Sequence, residues 1–176
     1  VLFFVNNLLL KKERVEHQFK SIIKYLDDRI NLLNRIVSFV EENTENEEKY
    51  INNINNSCNE LSEIDCSKEE NLKEIKKSSK LLQKFIKLGE FYPNFEQNKI
   101  YQIICDEVNL NEERLMYAIE SYDREAKKYN EIKNTKINTR ISRIFRIKDY
   151  EFQQDQRTSF RSLDRKGTHR YYTRRT

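Results

Sequence analysis

Apolar residues at Leu8, Val15, Phe19, Ile22, Leu26, Leu33, Val37 and Val40 are spaced by 7, 4, 3, 4, 7, 4 and 3 residues. A stripe with that 3.5-residue mean period is the seam of a helix that packs lengthwise against another. Lys12 and Arg29 stand at the skipped positions. The pattern predicts one helix from near the start of the chain into the forties, about 60 Å long at ~1.5 Å per residue. Glu41–Lys49 is polar on every side, so it reads as an exposed overhang or a kink. Ile51, Ile54, Cys58 and Leu61 then resume the stripe.

Ser67 and Glu70 have the spacing of a capping box, which opens a helix by satisfying its first N–H groups. That second helix runs through Leu72, Ile75, Leu82, Phe85 and Ile86, with Gly89 as the residue just past its end. Pro93 and Asn94 restart the chain, and Gln97 completes a second capping pair. Ile104, Val108, Leu115, Ile119, Tyr122, Ala126 and Tyr129 form another heptad seam. From Thr139 the apolar residues Ile141, Ile144, Phe145, Ile147, Tyr150 and Phe152 suggest a short helix and a hook packed back on the rest. Narrow seams can be buried only against one another. The expected fold class is therefore all-α, an elongated antiparallel bundle of three to four long helices. Two Gly and one Pro in 176 residues are too few to build the turns of a sandwich or an α/β fold.

Charge divides the chain. Arg157, Arg161, Arg165, Lys166, Arg170, Arg174 and Arg175 face Asp164 alone in residues 157–176, a net +6 that leaves −2 for the remainder of the +4 chain. Residues 6–156 are read as the bundle, and 157–176 as a basic tail that is disordered or ordered by a partner. Its interleaved Arg and Tyr suit anionic lipid headgroups. They equally suit RNA or DNA through phosphate contacts and stacking. A solubilising terminus without a dedicated ligand explains the same composition.

The first ten residues are apolar apart from Asn6 and Asn7, which is short of the ~20 that span a bilayer as a helix. Because the chain starts at Val1 rather than Met, residues 1–5 read as the end of a hydrophobic membrane segment. A buried first turn is the other reading. Lys11, Lys12 and Arg14 follow, and the positive-inside rule would then put the bundle in the cytoplasm, below a single N-terminal span.

The candidate chemistry is sparse. Cys58, Cys66 and Cys105 show no CxxC or Cys/His spacing and read as reduced thiols in or near a core. Neither His17 nor His169 sits in the Glu-x-x-His motif of a di-metal bundle. No cofactor or metal is expected, nor a glycine-rich phosphate loop. Arg29, in an apolar seam, needs a carboxylate or several carbonyls, and Glu112 on or beside the other seam is its expected partner. Such a pair sets the register of a bundle more often than it marks a pocket. Tyr122 and Tyr129, seven apart, are expected as core aromatics with satisfied hydroxyls.

The residues also resemble those of the LemA family. Val5-Asn6-Asn7-Leu8-Leu9, then Lys12, Val15, Phe19, Ile22, Leu26 and Arg29, and finally Leu32–Val37 fill its opening pattern. Glu90-Phe91-Tyr92-Pro93 is similar to its Tyr-Pro hinge, and Glu112, Leu115, Tyr122, Ala126, Tyr129 and Asn130 to its third run. Tyr150-Glu151-Phe152 lines up with its closing aromatic segment. Val5, Asn34, Ile119 and Asp123 depart from the pattern. The resemblance spans about residues 4–152 and implies a single-pass bacterial membrane protein with a helical domain and no established enzymatic activity. Asn6, Tyr92, Pro93, Tyr122, Tyr129 and Asn130 are the residues that carry it. The expected function is a non-catalytic scaffold or adaptor that binds another protein at the membrane. A nucleic-acid-binding module acting through the basic tail is the alternative. A hydrolase would require three ionisable groups converging in one concave pocket.

Overall fold

The computed structural model describes residues 2–64 and 70–134, all of it helix and short joints. Five helices follow one another: α1 (Leu2–Asn43), α2 (Glu48–Ser62), α3 (Glu70–Phe91), α4 (Pro93–Gln97) and α5 (Lys99–Lys133). The all-α elongated bundle is thus what the chain forms. Around it, α1 packs on α2, α2 on α3, α3 on α5 and α5 on α1, and the α1–α5 contact is the most extensive. α4 is the joint between α3 and α5.

α1 has 42 residues, about 63 Å of helix. Leu8, Val15, Ile22, Leu26, Leu33 and Val40 of its stripe are buried, while Phe19 and Val37 are half-buried. The polar stretch after it is a chain reversal rather than an overhang. α1 ends at Asn43, where Asn43 Nδ2 donates to the Phe39 carbonyl (2.8 Å) and Thr44 Oγ1 to the Val40 carbonyl (2.7 Å). These bonds satisfy carbonyls that the helix end leaves without partners. α2 then returns along α1, with Cys58 Sγ 3.8 Å from Asn34 Oδ1, and buries Tyr50, Ile54, Ser57 and Leu61.

α3 is described from Glu70, so the Ser67–Glu70 capping box lies outside the described residues. Gly89 does not end this helix, which continues to Phe91. The glycine serves close approach instead. A Cβ there would stand 2.4 Å from the Tyr101 hydroxyl and 2.9 Å from its ring carbon Cζ. With that space open, Tyr101 donates to the Ile86 carbonyl at 2.7 Å. Asn94 and Gln97 do not form the expected capping pair either. α4 starts at Pro93 with no side-chain cap, and Asn98 caps α5 by accepting from Ile100 N (2.9 Å) and Tyr101 N (3.3 Å).

This end of the bundle closes on rings. Phe39 meets Phe85 and Phe95 edge-on at 5.8 and 5.0 Å, and Tyr101 tilts against Phe85 and Phe95 at 5.1 and 5.2 Å. Such contacts add to the area that each ring buries. On α5, Ile104, Val108, Leu115, Ile119, Tyr122, Ala126 and Tyr129 are all buried, as the heptad spacing predicts.

Leu2–Val5 belong to the same continuous helix as the rest of α1. No helix among the described residues is long and apolar enough to cross a membrane. The segment from Thr139 to Phe152, and the basic tail of 157–176, lie outside the described residues.

Candidate functional site

Arg29 is fully buried, among the largest side chains wholly enclosed by the bundle. Two helices supply its partners. From α5, Asn111 Oδ1 accepts from Nε at 2.8 Å and Glu112 Oε1 accepts from Nη2 at 2.5 Å. From α3, Ser79 Oγ and Ser78 Oγ accept from Nη1 at 2.9 and 3.0 Å, and the Ile75 carbonyl lies at 3.4 Å. The partners are themselves tied. Ser79 donates to Glu112 Oε2 (3.1 Å), Ser78 to the Ile75 carbonyl (2.7 Å), and Asn111 Nδ2 to the Tyr25 carbonyl (3.0 Å).

Burial pushes the Arg29 guanidinium down from its usual pKa, and the charge of Glu112 with its hydrogen bond opposes that. Desolvating one ion costs several kcal/mol, so the cluster persists because nearly every donor has an acceptor. Ser79 and Glu112 make a hydroxyl–carboxylate contact that could be taken for a nucleophile and its base. Ser79, however, is 1% exposed and its oxygen already accepts from Arg29, which leaves an electrophile no approach.

The family model described as LemA family matches residues 18–162, most of the chain and all of this cluster. The chain belongs to the LemA family. No curated protein matches it. LemA is not a known enzyme family, and membership suggests membrane association.

The residues that carry the LemA resemblance do not gather around Arg29. Tyr122 is buried with its ring 5.9 Å from Phe19, and it lies ten residues, about 15 Å, along α5 from Glu112. Tyr129 is buried a further two turns on, with Asn130 half-buried beside it. Tyr92 stacks on Phe95 at 5.0 Å, Pro93 opens α4, and Asn6 is exposed on α1. His17 is exposed. Arg157, Arg161, Arg165, Lys166, Arg170, Arg174, Arg175 and Cys66 lie outside the described residues.

Cys58 and Cys105 are half-buried free thiols. Burial raises the pKa of both, that of Cys105 to about 11, which makes them poor nucleophiles at neutral pH. Among the described residues no group of three or more His, Cys, Asp or Glu side chains is placed to hold a metal ion. Open hollows lie among the described residues. One, of about 410 Å³, sits at the α1–α2 reversal among Glu41, Glu45, Glu47 and Glu48. Another, of about 340 Å³, runs between α1 and α5 on the outer side, lined by Asp28, Asn31, Leu32, Arg35, Glu107, Leu110, Asn111 and Arg114.

The sequence reading left out Asn111, Ser78 and Ser79. A signal for them exists, since each falls in a seven-residue gap of its own helix's seam, 108 to 115 on α5 and 75 to 82 on α3.

Proposed function

We propose that this LemA-family chain is a non-catalytic adaptor held at the membrane by a single N-terminal span, its bundle on the cytoplasmic side offering a surface to another protein. The Arg29 cluster carries the reading. Its polar groups are spent on one another across α1, α3 and α5, which favours a rigid, register-fixed rod over a reacting centre. Membership of a family that is not a known enzyme family supports the same view. The test is cross-linking in native membranes followed by mass spectrometry. A reproducible protein partner, in a fraction that resists salt washing, supports the adaptor. A chain that washes off with salt, or that cross-links to nothing, defeats it.

The net +6 of residues 157–176 favours a second reading, a nucleic-acid module acting through the tail. Phosphate binding of that kind must weaken steeply with ionic strength and vanish when 157–176 is deleted.

A further inference from the structure

We propose that the outward face of α5 docks a basic amphipathic helix of a partner protein, with the partner's apolar seam on Ile103, Leu110 and Tyr117 and its cationic flank against Asp106, Glu113 and Glu120. The proposal rests on the adaptor reading and names the surface and the chemistry of what it receives.

α5 carries two heptad seams. The inner one is consumed by the core. Along the outer one, Ile103, Leu110 and Tyr117 are 52, 43 and 69% exposed, and Ile100 extends the line by a turn. Single exposed apolar residues are ordinary on a surface. A row at strict seven-residue spacing is different, because that period stays in line only against a helix that winds with it. The hollow between α1 and α5 opens beside Leu110, and Asp28, Asn31, Arg35, Glu107 and Arg114 make most of its lining polar.

Charge selects the visitor. Asp106, Glu113 and Glu120 repeat at the same seven-residue interval along one flank of the apolar row, and none of them makes an ion pair among the described residues. Lys99, at the same heptad position one repeat earlier, ends the acidic row. Flanking charges of this kind decide coiled-coil partners. A second copy of α5 in a two-fold antiparallel pairing would set much of the acidic row against itself, whereas a helix flanked by Lys or Arg meets it with opposite charge.

The probe is a synthetic three-heptad peptide with Leu along its seam and Lys on both flanks, titrated by fluorescence anisotropy into the whole chain at physiological ionic strength. Its twin carries Glu for Lys. The Lys peptide should bind about tenfold more tightly than the Glu peptide. Leu110→Asp should weaken it by about tenfold or more, and the triple change Asp106→Lys, Glu113→Lys and Glu120→Lys should reverse the preference. Circular dichroism checks that these substitutions leave the helices intact. The proposal is overturned if Leu110→Asp has no effect, or if Glu45→Lys with Glu47→Lys at the α1–α2 reversal abolishes binding instead. It also falls if sedimentation shows Leu110→Asp splitting a dimer, since the face then belongs to a second copy. A membrane partner that cross-links equally to the native and Leu110→Asp chains removes this face while leaving the adaptor reading in place.

Discussion

Two arginine–glutamate pairs join the same two helices, and they stand in different solvents. Arg29 and Glu112 meet inside the bundle, with the arginine wholly buried and the glutamate 23% exposed. Arg35 and Glu107 meet on the outer side less than two turns away, at 49 and 42% exposure. The chemistry, the helices and the antiparallel geometry are shared, so the surroundings alone separate them. In water an ion pair is screened and its long side chains lose freedom to hold one geometry. In the core the charges have no water to return to, and every remaining donor must find an acceptor. Ser78, Ser79 and Asn111 are present at the inner pair for that reason, and among the described residues no comparable set of hydrogen bonds surrounds the outer one.

The contrast is broken most directly at Glu112. Glu112→Ala leaves a buried guanidinium facing two serines and an asparagine, and should cost about 3–5 kcal/mol of unfolding free energy. Water entering where Glu112 is partly exposed favours the lower figure. Urea melts of the variant and the native chain measure it, and a loss under ~1 kcal/mol would mean that the inner pair is wet.

Arg29→Lys retains the charge and removes the fork. A lysine ammonium cannot reach Asn111, the serines and Glu112 from one position, so two or more acceptors lose their donor, at about 2 kcal/mol. If lysine serves as well as arginine, charge rather than directional bonding holds the layer.

At the aromatic end the dry interior is held by shape. Gly89→Ala adds one methyl against Tyr101, and relief must come from moving that ring among Phe39, Phe85 and Phe95. Better helix propensity returns up to ~1 kcal/mol, against overpacking of about 1–3 kcal/mol. The net should be a destabilisation near 1 kcal/mol, visible in a thermal melt, and a more stable variant would show that Tyr101 moves freely.

The rods were legible because burial of a narrow stripe leaves a 3.5-residue period in the sequence, and α1 and α5 carry it almost without interruption. The polar layer was half legible. Arg29 breaks its seam between Leu26 and Leu33, which predicts a partner without specifying the set. Only the folded register shows that the gaps at 26–33, 75–82 and 108–115 lie at one level. Gly89 lies within α3 rather than past its end. A glycine that ends a helix and one that admits a neighbouring ring look the same in sequence, and Tyr101, twelve residues on, decides between them. The outer row on α5 gave no separate signal, since exposed apolar residues acquire meaning only once the inner face is known.

The smallest effect belongs to the outer pair. Arg35→Ala removes an ion pair whose members are each nearly half in water, and it leaves Glu107 free to hydrate, so stability should change by less than ~0.5 kcal/mol. That small change should shrink further when salt is raised, since screening reaches an exposed pair and hardly reaches a buried one. Glu112→Ala measured in the same two buffers should keep nearly its full cost. A double-mutant cycle at each pair completes the comparison, with a coupling near zero expected for Arg35–Glu107 and a large one for Arg29–Glu112. Equal couplings would show that both pairs sit in the same dielectric, and Arg29 would then be as wet as Arg35.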